Sequence, residues 1–346
     1  MRILLTADPE LPVPPGQYGG IERLVDMWCR ELRRRGHAVA LAARADSTAA
    51  VDALFPWPGK RSQHAGDCLR NSFALARACR RFRADVVHSS SRLAYTLPLL
   101  LARVPVIQTY HRTPGVRQIR RATHLASARR FILTGVSSFI AGLGRGGGGV
   151  WETVHNCIDI ERLRFEPHVA AEAPLVFLSR LEEVKGAREA IAIARAAGRQ
   201  LLLAGNHSAD ENATRYWREH IQPQIDGELI RYVGPVNDAE KSALLGRAAA
   251  LLVPVQWDEP FGMVFAEALA CGTPVITTPR GAAPEIVQSG RNGFLIDSQA
   301  AGIEAVRHVA EISRATCRAD AEQRFTVRTA VDRWLSLYAR VAENHL

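Results

Sequence analysis

Short apolar segments of strand composition alternate with segments whose apolar residues recur every three or four positions, and this alternation fills almost the whole chain. Residues 2–7 read as a strand. The proline- and glycine-rich loop PELPVPPGQYGG then leads into a helix with Ile21, Leu24, Val25, Trp28 and Leu32 on one face, stopped near Gly36. Strands at 38–43, 85–88, 105–110, 132–136 and 152–155 follow, with a basic amphipathic helix at 68–83. A second series has strands at 175–178, 200–204, 230–233, 250–253 and 274–277, and helices at 187–197, 239–247 and 261–270. Strand–helix–strand order of this kind demands parallel sheets covered by helices. At 346 residues the chain has room for two such domains. The run GRGGGG at 144–149 reads as flexible, and 161–174 as an interdomain linker. In the tail, Val327, Val331, Trp334, Leu335 and Tyr338 lie at helical spacing. The expected architecture is two Rossmann-like domains with a cleft between them, where sheets of this kind bind ligands.

Composition narrows the possibilities. The longest apolar run, 93–107, is interrupted by Pro98 and Arg103, too early for a membrane span. The N-terminal apolar stretch meets Asp8 too soon for a signal peptide. Six cysteines (Cys29, Cys68, Cys79, Cys157, Cys271, Cys317) form no CxxC pair, which points to a reduced, cytoplasmic protein with neither a disulfide framework nor a zinc cluster. The net charge of +9 is unevenly placed: residues 1–165 carry +13 and residues 166–346 carry −4. Only Lys60, Lys185 and Lys241 are lysines, so the basic character is almost all arginine, an expected signature of a GC-rich genome.

The segment Trp257 to Ile296 is the richest in chemistry. Glu259 stands in a loop, Pro260 suits a helix start, and Gly262 lets backbone approach a ligand. The helix N-terminus that follows offers unpaired amides and a positive dipole end to a phosphate. Glu267 lies eight residues after Glu259, about 12 Å along a helix axis at ~1.5 Å per residue. A nucleoside diphosphate sugar fills that span, with one carboxylate on the ribose hydroxyls and the other on the sugar. Upstream, Arg180 follows a strand and Lys185 precedes Gly186 and a helix. Two such cations suit a diphosphate whose charge grows as the glycosidic bond breaks.

Together these segments resemble the family 4 retaining glycosyltransferases of GT-B fold, also grouped as glycosyl transferases group 1. Arg180 with Lys185 match the family's diphosphate pair, and Glu259 with Glu267 its two glutamates separated by seven residues. GTPVI, PEIV..GRNGFLI, YGGIERLV with RGH, and VHNCID add to the likeness. It implies an α/β GT-B chain, two Rossmann-like domains with parallel sheets facing across a cleft. The domains would be 1–162 on the acceptor side and 175–324 on the donor side, joined by a 163–174 linker. Helix 325–346 would return to the first domain.

By the same resemblance Glu267 binds ribose, Glu259 the transferred sugar, and the amides of Phe261, Gly262, Met263 and Val264 the sugar and phosphate. Gly205, Asn206, Val233 and Gly234 flank the base. Gly19 and Gly20 approach the diphosphate when the domains close and exclude water, and His111 stands near donor sugar and acceptor. His88 is a weaker candidate, and Cys157, where the family often has glycine, reads as packing. The donor would be a UDP-sugar first and a GDP-sugar next. The acceptor would be a glycan, a lipid-linked saccharide or a small metabolite. No cofactor is expected beyond the nucleotide-sugar co-substrate, and no metal, since no DxD motif is present.

Three other readings fit less of the sequence. A GT-B epimerase or phosphorylase lacks a sign of its own, such as a lysine for pyridoxal. A noncatalytic sugar-nucleotide binder conflicts with the intact set of cations and glutamates. Nucleic-acid binding through RRFR (80–83) or 117–130 lacks any accompanying motif. Those basic patches suit peripheral contact with an anionic membrane better.

Overall fold

The computed structural model describes residues 1–16, 19–126, 129–207 and 211–343. Gln17 and Tyr18 of the YGGIERLV approach, Ser127 and Ala128 of the basic run 117–130, and the last three residues of the expected C-terminal helix lie outside the described residues. The chain divides into two compact units, Met1–Cys157 with Val327–Leu346, and Ile158–Thr326.

The first unit runs β1 (Arg2–Thr6), α1 (Gly20–Arg34), β2 (Ala38–Ala43), β3 (Ala53–Pro56), α2 (Ala65–Phe82), β4 (Val86–Ser89), α3 (Leu93–Leu101), β5 (Val106–Tyr110), α4 (Val116–Leu125), β6 (Phe131–Gly135), α5 (Ser138–Arg145) and β7 (Val150–Thr153). Its strands form a parallel sheet in the order β3-β2-β1-β4-β5-β6-β7. The second unit runs β8 (Leu175–Leu178), α6 (Ala187–Ala196), β9 (Leu201–Ala204), α7 (Glu211–Tyr216), β10 (Ile230–Gly234), α8 (Asp238–Gly246), β11 (Ala250–Leu252), α9 (Met263–Ala270), β12 (Val275–Thr277), α10 (Ala283–Ile286), β13 (Gly293–Leu295), α11 (Gln299–His308) and α12 (Arg314–Arg324). Its parallel order is β10-β9-β8-β11-β12-β13. Strand order reverses beside β1 and β4 in one sheet and beside β8 and β11 in the other, and connections leaving such a switch point open a crevice for ligands.

The last helix, α13 (Val327–Glu343), belongs to the first unit. Trp334 packs on Trp28 of α1 and on the His88 ring, with centroids 5.3 and 4.3 Å apart. The Tyr338 hydroxyl pairs with His88 Nδ1 at 2.7 Å, and Arg340 with Glu152 at 2.7 Å. Arg35 also bridges to Asp332. No described helix is long and apolar enough to cross a membrane; the apolar run from Leu93 is α3 followed by β5.

The structure corrects three expectations. GRGGGG ends α5 and turns tightly toward β7: a Cβ on Gly144, in the last turn of the helix, would stand 2.1 Å from the Trp151 ring, and one on Gly147 2.7 Å from Ile119. Glycine is there for close packing. The helix expected from 261 starts at Met263, because Gly262 takes φ 89° and ψ 65° as its N-cap. Glu259 and Pro260 therefore precede the helix, and a helical rise does not apply across the whole interval to Glu267. His88 is fully buried with both ring nitrogens engaged, Nδ1 by Tyr338 and Nε2 by Thr109 at 2.8 Å, so it is a structural residue.

The stretch 163–174 is anchored at its start. Leu163 is buried, the Arg164 amide donates to Ser242 Oγ at 2.9 Å, and the Glu166 amide donates to the Cys271 carbonyl at 3.1 Å.

Candidate functional site

In the second unit, the loops after β8 and β11 lie side by side because β8 and β11 are neighbours. The Gln256 amide donates to the Val184 carbonyl at 2.8 Å, and a Cβ on Gly186 would sit 2.0 Å from the Pro254 carbonyl oxygen. Gly186 takes φ 80°, so glycine is needed there both for backbone angle and for space. This zipper delivers Lys185 to Glu259. The buried ammonium lies 2.6 Å from Glu259 Oε2 and 4.6 Å from the centre of the Trp257 ring. The Trp257 indole N–H donates to the same carboxylate oxygen at 2.8 Å. Glu259's own backbone is held by the turn at Gly281: its carbonyl accepts from the Ala282 amide at 2.8 Å, and a Cβ on Gly281 would clash with it at 2.4 Å.

Arg180, at the end of β8, pairs with Glu182 at 2.7 Å and keeps 39% of its side chain exposed, enough to meet a ligand. Beside it the ends of β9 and β10 are stitched together. The Gly205 amide donates to the Gly234 carbonyl at 2.9 Å, the Tyr232 hydroxyl donates to the Gly205 carbonyl at 2.9 Å, and the Leu181 amide donates to the Asn206 carbonyl at 3.0 Å. A Cβ on Gly205 would reach within 1.9 Å of the Ser179 carbonyl oxygen. Val233 is exposed at this rim.

Glu267 lies in the second turn of α9, and its Oε1 accepts from the Lys241 ammonium at 2.6 Å. The first-turn amides of Met263 and Val264 precede any intrahelical partner, so they suit an anion. Phe261 is buried against Phe325, ring centroids 5.7 Å apart, and fixes the loop that enters the helix.

The first unit gathers different groups at the C-terminal ends of its strands. His111 follows β5; its Nε2 lies 3.3 Å from Ser90 Oγ, and its ring stacks over Trp28 at 6.3 Å. Burial, with Arg112 beside it, pushes its pKa down to about 3, so the imidazole is neutral at physiological pH. Its Nδ1 is buried with no hydrogen-bond partner among the described residues. Asp8, after β1, accepts from the Arg92 amide at 3.2 Å; burial and then the nearby Glu10 push its carboxyl up to about 6. Glu22 in α1 is also raised, chiefly by burial. Gly19 precedes α1 tightly packed, a Cβ meeting Pro15 at 2.7 Å, whereas a Cβ on Gly20 would meet nothing within 4 Å among the described residues. Cys157 is buried, as expected of a packing residue.

Of the residues singled out in the sequence, the structure brings Lys185 to Glu259 and Gly205 to Gly234, and leaves Arg180 with a separate acid, Glu182. Gly19, Gly20 and His111 belong to the other unit. Three participants escaped the sequence reading. Trp257 was legible only as the start of a motif, Glu182 was not singled out, and Lys241 stood as one of three rare lysines without a role. Lysine rarity was the available signal: two of the three meet the two glutamates. Among the described residues no group of three or more metal-binding side chains lies together.

With this geometry in place, sequence comparison identifies the class. Residues 18–162 match the family described as Glycosyltransferase Family 4, and residues 159–324 that described as Glycosyl transferases group 1. The chain belongs to the family 4 glycosyltransferases of GT-B fold. Glycogen synthase of Mycobacterium tuberculosis (strain ATCC 25618 / H37Rv) is 30% identical over 239 residues, 62% of this chain and 56% of that protein, so the chain spans about half that relative's length. The same organism's phosphatidyl-myo-inositol mannosyltransferase is 24% identical over 336 residues, 88% of this chain and 85% of the relative. Among solved structures, AviGT4, a glycosyltransferase involved in avilamycin A biosynthesis, has a TM-score of 0.73 at 25% identity, covering 99% of this chain and 98% of its own. Anabaena HepE, in complex with UDP-glucose, has a TM-score of 0.74 at 21% identity, covering 97% and 99%.

Proposed function

We propose that this chain is a retaining glycosyltransferase that moves a sugar from a nucleoside diphosphate sugar to a hydroxyl acceptor without using a metal. One observation carries the reading: at the β8/β11 switch point a buried ammonium and an indole N–H converge on one carboxylate oxygen, while Arg180, after the same strand β8, pairs with Glu182. An ammonium has three donors, so Lys185 can hold Glu259 and a phosphate oxygen together. In the donor complex Arg180 and Lys185 take the diphosphate, Glu259 the sugar hydroxyls and Glu267 the ribose. The amides from Phe261 to Val264 take the sugar and phosphate, and the strand ends at Gly205, Asn206, Val233 and Gly234 flank the base. As the bond from the anomeric carbon to the phosphate oxygen breaks, the two cations neutralise the charge that develops on the leaving group. That oxygen accepts the acceptor hydroxyl's proton on the same face, and the new bond forms there with retention.

The acceptor, a glycan, lipid-linked saccharide or small metabolite, is assigned to the strand ends of the first unit, where neutral His111 offers a hydrogen bond. UDP-sugars are the first donors to test, because a chain of this fold has been captured with UDP-glucose; GDP-sugars are next. A cytoplasmic location is part of the proposal, supported by six free cysteines, five of them buried. The test is a donor screen by mass spectrometry. Transfer or slow hydrolysis of one nucleotide sugar, lost in Lys185→Met, is the expected result, and inertness toward all donors refutes the proposal.

A second reading concerns where the enzyme works. On α2, Leu69 and Phe73 are 60% and 63% exposed, and Arg77 and Arg81 continue the same four-residue spacing. An apolar stripe continued by arginines suits the surface of an anionic membrane. Sedimentation with phosphatidylglycerol vesicles, weakened by salt and by Phe73→Ser, is the expected outcome; indifference to the vesicles refutes it.

A further inference from the structure

We propose that Lys241 is a positioning residue of the nucleotide site, whose contact with one oxygen of Glu267 aims that carboxylate at the ribose hydroxyls. The inference rests on the donor-site reading above, and it concerns a residue which that reading leaves without a task.

The contact is placed by rigid parts. The start of α8 is fixed by a capping box: Asn237 Oδ1 accepts from the Ala239 and Glu240 amides at 3.0 Å each, and Glu240 returns a bond to the Asn237 amide at 2.8 Å. One turn later Lys241 projects its ammonium to Glu267 at 2.6 Å, with Asp238 Oδ1 at 3.5 Å on its other side. The far end of α8 is tied to the segment after α9 by the Thr273 hydroxyl, which donates to the Leu245 carbonyl at 2.6 Å. The Lys241–Glu267 contact thus lies between a capped helix start and a bond that ties α8 to the segment after α9.

Chemistry explains why the partner is lysine in a chain that otherwise uses arginine. An ammonium meets Glu267 through Oε1, leaving Oε2 for a vicinal diol. A guanidinium would tend to grip both oxygens with its fork and close the carboxylate to ligand. The same economy holds at Glu259, whose partner is Lys185. Lys241 also sits three residues into the helix that follows the base-flanking rim at Val233–Gly234, so it links the base side of the site to the ribose side.

The test is a calorimetric titration of the whole chain with UDP, GDP and ADP, each against its 2′-deoxy counterpart, carrying forward the pair with the tightest ribonucleotide. The wild-type chain is expected to favour the ribonucleotide by about tenfold, the worth of one hydrogen bond to a charged group. In Lys241→Met that preference should fall toward one, through a loss of ribonucleotide affinity with little change for the deoxy form. Lys241→Gln, which restores a neutral amide donor, should regain part of it, and Lys241→Arg should regain less than charge alone predicts. With a working donor, KM should rise in Lys241→Met while kcat stays within about twofold. An unchanged preference in both neutral variants overturns the inference and leaves the donor site standing. A wild-type chain that binds none of the three nucleotides overturns the donor-site reading and this inference with it.

Discussion

Lys185 Nζ lies 2.6 Å from Glu259 Oε2, and both side chains are almost wholly withdrawn from solvent at the switch point of the second sheet. Two charges taken out of water need each other, and the Trp257 N–H supplies a third member that keeps the carboxylate fixed. The Lys185–Glu259–Trp257 cluster is thus electrostatically satisfied within the protein. Under the proposed function, a diphosphate would meet a cation already aimed.

Replacing Lys185 by Met should lower turnover by about a hundredfold or more, the usual cost of removing a group that meets developing charge. Stability should fall as well, by about 3 kcal/mol, because Glu259 is left as a buried carboxylate with one bond from Trp257. Steady-state kinetics beside urea unfolding separates the two; a large loss of stability with near-normal turnover would contradict the assigned role.

Trp257→Phe retains a ring beneath the ammonium but removes the N–H donor. Its cost should be modest, about 1 kcal/mol or a fivefold rise in donor KM. Trp257→Ala, which removes ring and donor together, should cost more. Equal effects of the two variants would show that the indole N–H is idle.

Two glycines should behave in opposite ways. Gly186→Ala forces a Cβ to within 2.0 Å of the Pro254 oxygen at a positive φ, so unfolding should become easier by about 2 kcal/mol or more. A Cβ at Gly20 meets nothing within 4 Å among the described residues, and in Gly20→Ala stability should stay within about 0.5 kcal/mol. If Gly20 serves the donor's phosphates, as the family resemblance implies, transfer should nevertheless fall. Thermal unfolding and initial rates on both variants check the contrast.

The buried histidines set a pH dependence. His88, through burial and then the proximity of His111, has its pKa pushed down to about 3 in the native state, against about 6.5 when unfolded. Between those values the unfolded chain binds the proton and the native chain does not. The stability that neutral His88 supports is therefore complete above about pH 6.5 and drains away as pH falls, by up to ~1.4 kcal/mol per unit. Asp8, raised to about 6, acts in the opposite sense, since the native state takes up its proton first. Comparing the wild-type chain with His88→Gln isolates the histidine: the loss of stability between pH 7 and pH 5 should be about 2 kcal/mol smaller in the variant. Parallel curves would contradict the assignment.

Much of this architecture is legible in the sequence because parallel strands buried on both faces read as unbroken apolar runs. AVALAA (Ala38–Ala43) and LVFL (Leu175–Leu178) are strands to the residue. β13 escapes notice because it has three residues and opens on Gly293, whose absent side chain lets the Val275 carbonyl oxygen approach. α12, ATCRADAEQ between two arginines, has too weak an apolar stripe to announce itself. The site is half legible. Glu259, Glu267, Arg180 and Lys185 stand out by spacing and by residue type. Which cation meets which acid depends on strand neighbours 74 residues apart, as with Lys185 and Glu259. The burial of His88 depends on Tyr338, 250 residues away, and no local pattern reveals it.

The most direct measurement of the central claim is release of nucleoside diphosphate from UDP-, GDP-, ADP- and dTDP-hexoses, with EDTA present, by the wild-type chain and by Lys185→Met. The account predicts release from one donor class that survives EDTA and falls about a hundredfold in the variant. No release from any donor, or equal release by the two proteins, would contradict it.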